Sequence, residues 1–453
     1  MDRPSAIKEL IKEGKLPTPS NINQLTQTKP LQKTHSTIEP SVKVISSYQY
    51  NPKKIKVEDF VQHTRSRYDH LKSLLINRAE IQDATSISRL SGINERTTII
   101  AMVSDIQKLP SGALRVILED LSGKTPAIIS AKDPELAKKA RYLALDEVCA
   151  FKGAKSKNMF FVNDIVWPDI PQKTRQNSPD EVYAAFTGDL HAGSNMFLPK
   201  QLDRFISWLS GELGNEKQKQ MALKTKYVFV VGDIVDGVGI YPEQEKELDV
   251  TDIYKQYELA ASFLAKIPKD KKIIICPGNH DAMRICEPQP ALYKDLAAPL
   301  YELPNAIHVS NPAVVNIHSQ DNFPGFDVLM YHGYSFDFFV DKVDALRAAG
   351  GYDRPDKLIE FLLKRRHLAP TYGSTLALPM NEDPLLIRLV PDIVATGHIH
   401  KAKISQYRNI LTIAASCWQK RTSFQERVGH HPDPAKVPLV NLQTGKATML
   451  KFD

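Results

Sequence analysis

The sequence predicts a multidomain protein in which a small all-β barrel precedes a larger α/β domain, a two-sheet sandwich flanked by helices. Three observations carry this expectation. The chain has 453 residues, too many for one ordinary core. Between residues 97 and 170 short strand-like runs follow one another at turns, whereas from residue 181 onward apolar strands alternate with helical stretches. Five of those later strands end in clusters of Asp, Asn and His.

Composition sets the outer limits. With 42% hydrophobic and 25% charged residues, the chain reads as a soluble globular protein. No apolar run approaches the roughly 20 residues that span a bilayer, so no membrane association is expected. The opening MDRPSAIKELIKEGKLP is charged throughout and lacks an apolar signal core, which points to the cytoplasm. Cys149, Cys276, Cys286 and Cys417 are scattered without CxxC spacing, as in a reducing compartment. Cys276 and Cys417 lie in apolar runs and are expected in the core. A net charge of +7 suits a polyanionic partner without specifying one.

The elements follow in order. Residues 1–45 open on a short helix candidate, SAIKELIKEG, and continue into the polar LPTPSNINQLTQTKPLQKTHSTIEP, which reads as a mobile tail. Residues 46–96 are expected to be a helical linker. In VEDFVQHTRSRYDHLKSLLINR, Val57, Phe60, Val61, Tyr68, Leu71, Leu74 and Leu75 share one side of a helical projection, with a basic face opposite. Over 97–170, the runs TTIIAMVSDIQ, ALRVILEDLSG, TPAIISA, EVCAFKGAKS and MFFVNDIVWP are separated by turn residues, with the helix-like DPELAKKARYLA after the third. Five strands with a helix after the third match the order of an OB-fold, a barrel that binds single strands or serves as an interaction module. Residues 171–180 read as a linker, and 181–453 as the α/β domain.

The chemistry gathers at strand ends, where loops of a sandwiched sheet open to solvent. The first strand ends at Asp189 and His191 in TGDLHAG, the second at Asp233 and Asp236 in VGDIVDG. The third ends at Asn279, His280 and Asp281 in PGNHDAM, the fourth at His332 in YHGYSFD, and the fifth at His398 and His400 in GHIH. Singly, each is an ordinary turn or cap motif. Together, in register with strand ends, they form a ligand set. Carboxylate, imidazole and amide oxygen suit a pair of divalent first-row ions, manganese first, with iron, zinc or nickel as alternatives. Such a pair supports in-line attack on a phosphorus centre, with a carboxylate between the ions. Asp233 is the best-placed candidate for that carboxylate.

The five motifs, spread over residues 187–400, resemble the signature of the calcineurin-like metallophosphoesterases. The resemblance implies one metal held by Asp189, His191, Asp233 and His400, and a second held by Asp233, Asn279, His332 and His398. It implies for His280 a catalytic role at the transition state or leaving oxygen. Asp236 stands where some related nucleases carry a DNA-orienting histidine. It is the second catalytic candidate, as a residue that orients a ligand or simply as a helix-start residue.

Beyond the motifs, the barrel ahead of the phosphoesterase domain resembles the architecture of replicative DNA polymerase small subunits. The stretches DFVQHTRSRYDHL, LLKRRHLAPTYGS and SCWQKRTSFQERVGHHPDPAKVPLVNL resemble the archaeal family-D polymerase small subunits in particular, over essentially the whole chain. That likeness implies a 3′–5′ proofreading exonuclease acting on DNA 3′ ends. It implies assembly with a large catalytic subunit, and a sliding clamp as a further partner. The alternatives are a non-catalytic scaffold, as in the eukaryotic counterparts that have lost ligands, and a phosphoesterase for another substrate. The other histidines read as structural or surface residues: His308 and His318 in a strand pair, and His63, His70, His367, His430 and His431 outside the centre. Lys364, Arg365 and Arg366 read as a solvated helix face or a phosphate contact. The tail from Ser416 to Leu442 is expected to supply part of the partner surface.

Overall fold

In the computed structural model, the described residues are Lys12 and 39–453, save Gln82, 91–95 and Val428. Apart from Lys12 and residues 39–45, the tail and its helix candidate lie outside them. Residues 40–453 form one compact body. No helix among the described residues is long and apolar enough to cross a membrane.

Residues 42–45, expected in the tail, instead begin strand β1 (Val42–Ser47), which pairs antiparallel with Ala313–Ile317 of the α/β domain. The helix Val57–Ile76 forms as its periodicity predicts, with Asp59 Oδ2 accepting from the Lys56 amide at 2.8 Å. Only its second half buries the expected stripe. Tyr68, Leu71 and Leu75 pack on Ile100, Val148 and Ala150 of the barrel and on Leu386 beyond it. Val57, Phe60 and Val61 stay exposed, and Phe60 overhangs a cleft of about 1370 Å³ between barrel and α/β domain. The helix is therefore a strut between the two domains.

The barrel contains β2 (Ala84–Thr85), β3 (Arg96–Lys108), β4 (Leu114–Asp120), β5 (Gly123–Ile129), β6 (Val148–Ser156) and β7 (Met159–Val166). Its order is β3-β4-β5-β7-β6, and β6 pairs back onto β3 to close it. The helix Pro134–Ala140 follows β5, capped by Asp133 Oδ1 accepting from the amides of Glu135 and Leu136 at 3.0 and 3.2 Å. Alternate residues such as Val116, Leu118, Ala127, Ile129, Phe151 and Phe160 fill the interior. The segment 171–180 has no helix or strand, yet Lys173 ties it down through an ion pair to Asp392 at 3.0 Å.

Beyond it come β8 (Tyr183–Thr187), β9 (Thr225–Val231), β10 (Lys272–Cys276), β11 (Ala306–His308), β12 (Ala313–Ile317) and β13 (Phe326–Met330). The chain continues through β14 (Ile393–Thr396), β15 (Lys403–Tyr407), β16 (Ile410–Ala414), β17 (Lys436–Asn441) and β18 (Ala447–Lys451). They form two six-stranded sheets, β1-β12-β13-β14-β16-β15 and β11-β10-β9-β8-β17-β18. The helices Pro199–Leu209 and Ile253–Leu264 bury Phe205, Trp208, Tyr257 and Phe263 with Val228, Val230 and Ile275 of the second sheet. The helices Phe336–Lys342 and Pro355–Arg365 bury Phe339, Leu358 and Phe361 with Leu329, Val394 and Ile410 of the first. Within each sheet the central strands β8, β9, β10 and β13, β14, β16 run parallel, so their carboxyl ends point one way.

Several expectations are corrected here. His308 and His318 do not share a strand pair: β11 and β12 belong to different sheets. Arg365 and Arg366 are 2% and 3% exposed, so KRRH is not a solvated face. Arg365 pairs with Glu147 of the barrel, and Arg366 donates to the carbonyls of Ile387 and Arg388 at 2.8 Å. His367 is buried and faces Asp383 at 2.9 Å. The tail does not supply an open partner surface along its length. Ser416, Cys417, Trp418 and Gln419 are buried, and β17 is an inner strand of the second sheet.

Candidate metal centre

Five loops bring the strand-end residues together. The loops after β8 and β9 run side by side as a short backbone ladder, with Asp189 N donating to Gly232 O at 2.9 Å and His191 N to Asp233 O at 3.1 Å. The loop after β14 is tied to that after β13 through Gly397 N and His332 O at 2.9 Å. Asp189, His191, Asp233, His398 and His400 all have positive φ, between 47° and 72°. Left-handed backbone at five non-glycine ligand candidates is strain concentrated where side chains must be aimed inward. Glycine is needed for the closest approach: a Cβ on Gly278 would lie 2.2 Å from Asp233 Oδ1, and one on Gly232 2.2 Å from His332 Nδ1.

Three overlapping groups result, each with ligand atoms within 4.8 Å of one another: Asp189, His191 and His400; His191, Asp233 and His280; Asp233, His332 and His398. Asp233 belongs to two of them, the position expected of a shared carboxylate. Asn279 Oδ1 joins the last group, 3.0 Å from His332 Nε2.

Hydrogen bonding fixes what these atoms offer. His332 Nδ1 is 2.9 Å from the Val231 carbonyl, a pure acceptor, so Nδ1 carries the proton. In the neutral ring Nε2 is then a lone pair, yet it faces Asp233 Oδ2 at 3.2 Å and Asn279 Oδ1 at 3.0 Å. His191 repeats the pattern. Its Nδ1 faces Asp236 Oδ1 at 2.9 Å, and its Nε2 faces His400 Nε2 at 3.0 Å and Asp233 Oδ2 at 3.8 Å. Acceptors converging on acceptors demand positive charge between them, which a proton or a metal cation supplies. Burial lowers the pKa of His332, but the Asp233 carboxylate more than offsets it and pushes it up to about 10. The residues present thus fit a divalent-metal site.

His280 lies beside the cluster without facing it in the same way. Its amide donates to Asp233 Oδ1 at 2.8 Å, and its Nδ1 donates to the Asp236 carbonyl at 2.8 Å. That leaves Nε2 as the ring atom able to exchange a proton. Asp236 is only 1% exposed and is held by His191, by Gln244 Nε2 at 2.9 Å and by Gln419 Nε2 at 2.8 Å. It starts no helix, and it orients His191 from behind. Of the two roles expected for it, the geometry fits the one that orients a ligand, and its buried carboxylate has no open path to a substrate. Asp281, buried and pushed up to about 7 by burial and by Asp233, accepts from the amides of Gly278 and Ile234 and shapes the loop.

Sequence reasoning missed several contributors. Asp337 Oδ2 lies 3.0 Å from His398 Nε2, and Gln425 Nε2 lies 2.9 Å from His400 Nδ1. Asp337 follows His332 in YHGYSFD, a motif that showed no reason to single it out. Gln419 and Gln425 sit in the tail that resembled a family motif but was assigned to a partner surface. The 1370 Å³ cleft is lined by none of the metal-ligand candidates.

A candidate metal-binding cluster lies at the carboxyl ends of a two-sheet sandwich, and residues 183–402 match the calcineurin-like phosphoesterase family, which gives the chain a phosphoesterase domain. More narrowly, the chain belongs to the DNA polymerase II small subunits of archaea. It is 38% identical over 397 residues to that of Archaeoglobus fulgidus, covering 87% of this chain and 77% of the relative. It is 36% identical to that of Methanothermobacter thermautotrophicus over 88% of this chain and 80% of the relative. Against that of Methanocaldococcus jannaschii it is 38% identical over 85% of this chain, but spans 64% of the relative.

Proposed function

We propose that the chain is the proofreading subunit of a family-D DNA polymerase, a metal-dependent 3′–5′ exodeoxyribonuclease that assembles with a large catalytic subunit. The observation that carries this is the complete acceptor cluster around Asp233, with every ligand type in place and the two ring tautomers set by Val231 O and Asp236. A scaffold that had lost chemistry would have no need to keep five strained ligand positions. Membership of a family named as polymerase small subunits supports a DNA substrate and a large-subunit partner. A sliding clamp is a further partner on the same reading. The closed barrel, with its helix after the third long strand, supports an OB-fold assignment.

Asp189, His191, Asp233 and His400 would hold one ion, and Asp233, Asn279, His332 and His398 the other, manganese being the first choice for this donor set. Bound there, the ions supply charge stabilisation at the phosphoryl oxygens and a nucleophile at neutral pH. The chain's own residues do the positioning. Asp236 holds the His191 ring, the Val231 carbonyl holds the His332 ring, and Gly278 lets the Asn279 loop approach Asp233. His280, with Nδ1 engaged by the Asp236 carbonyl, presents Nε2 to the departing 3′-oxygen, where it holds or delivers a proton.

The test uses the purified chain, alone and with its large subunit, on a primer with a mismatched 3′ end. With manganese, mononucleotides should be released from the 3′ end, and His280→Ala should reduce release by about a hundredfold or more. No release under any metal would refute the assignment.

A further inference from the structure

We propose that Arg421 is a backbone-phosphate contact for the bound nucleic-acid strand, with Arg427 further along the same track. This rests on the reading of the centre as a DNA phosphodiesterase, and adds how the strand is held.

The segment after β16 wraps the His400 side of the centre. Gln419 Nε2 donates to Asp236 Oδ1 at 2.8 Å and to Ser194 Oγ at 2.9 Å. Gln425 reaches His400 Nδ1 at 2.9 Å, and the Asp433 amide donates to the His400 carbonyl at 2.7 Å. Arg421 lies between the first two anchors. It is half-buried, and its Nε is shielded from solvent with no hydrogen-bond partner. Among the described residues it makes no ion pair. Its charge still acts locally: burial foremost, then His398, His400 and Arg421, push the His430 imidazole down against the opposing pull of Asp337.

Arg284 Nε is likewise shielded without a hydrogen-bond partner, but its Nη2 donates to the Pro288 carbonyl, and the fully buried arginines are paired. Arg67 has Asp383, Arg365 has Glu147, and Arg366 has two carbonyls. Leaving a shielded guanidinium donor unmade is unfavourable unless a ligand completes it. Among the described residues Arg421 bonds to no carboxylate of the centre, although Gln419 and Gln425 on either side of it in the chain both reach the centre. Its fork geometry suits a phosphate. Arg427, exposed and also without an ion pair among the described residues, ends the short helix Ser423–Arg427 that carries Gln425 to His400. Arg421 and Arg427 therefore flank Gln425 on the His400 side of the centre, where a strand-tracking surface would lie.

The experiment measures binding of a short fluorescein-labelled single-stranded oligonucleotide to the full chain by anisotropy, without added metal, over a range of salt. R421A should weaken binding about tenfold and flatten the slope of log Kd against log salt by about 0.7, one phosphate contact. R421K should restore the slope but only part of the affinity, R427A should show a smaller loss, and K266A, remote on the paired surface, should match the wild type. If R421A does not fold, as judged by its thermal midpoint, R421Q carries the same test. Unchanged affinity and slope in R421A or R421Q would overturn the proposal, as would an equal loss in K266A. Failure of the wild-type chain to release nucleotides with manganese would instead overturn the nuclease reading, leaving the binding comparison to decide Arg421.

Discussion

Two buried Asp–His clusters in this molecule use the same residue types to opposite ends. At the junction of strut helix and α/β domain, Asp383 Oδ2 faces Arg67 Nε at 2.7 Å, His367 Nε2 at 2.9 Å and His63 Nε2 at 3.2 Å. There, backbone amides donate to the other ring nitrogens: Ala369 N to His367 Nδ1 at 2.9 Å and Met380 N to His63 Nδ1 at 3.3 Å. Both Nε2 atoms therefore carry protons toward the carboxylate, and Arg67 supplies the cation. At the candidate metal centre a backbone carbonyl, Val231 O, takes the Nδ1 proton of His332, so Nε2 turns a lone pair toward Asp233. The difference teaches that the backbone partner of Nδ1 decides whether a His–Asp pair closes on itself or waits for a metal.

The comparison can be broken first at Asp233. Asp233→Asn should reduce metal-dependent hydrolysis by on the order of a thousandfold, with the content of bound metal falling in the same preparation. It should leave the fold intact, since it removes a buried charge rather than a partner. Arg67→Ala should do the reverse. It strands the Asp383 carboxylate and should cost about 3–5 kcal/mol in denaturant unfolding, while metal content stays at the wild-type level.

A pH series sharpens the contrast. Burial, with Arg67 and His63 alongside, pushes His367 down to about 4 despite Asp383. Its folded pKa lies below the unfolded value of about 6.5, so the unfolded chain takes up the proton first. Stability is therefore full above that value and lost as pH falls toward 4, by up to about 3 kcal/mol. His367→Gln should remove that part of the slope between pH 7 and 5 in urea unfolding. The smallest effect is expected behind the centre, where Asp236→Ala should weaken manganese binding about 10–100-fold by releasing the His191 ring, measured by metal titration.

Much of the centre was legible because strand-end motifs are local. An apolar run, a glycine and a ligand residue within a few positions give Asp189, Asp233 and His332 their places. The tautomers were not legible, because they depend on Val231 O and on Asp236 meeting rings from other loops. KRRH was misread for the same reason: its partners, Glu147, Ile387 and Asp383, lie in other segments, and a basic run alone looks solvated. Strand β1 was missed because VKVISS is short and its partner β12 lies some 270 residues further on, so only tertiary pairing makes it a strand. The tail's buried part was not legible because Trp418 and β17 find their partners only in the second sheet, against β8 and Thr187.

Titration of manganese into the purified chain, with bound metal and hydrolysis of a phosphodiester followed together, tests the central claim most directly. The cluster around Asp233 should take up two ions per chain and hydrolysis should track their binding, whereas Asp383 should take up none. Uptake of fewer than two ions, or hydrolysis indifferent to their removal, would contradict it.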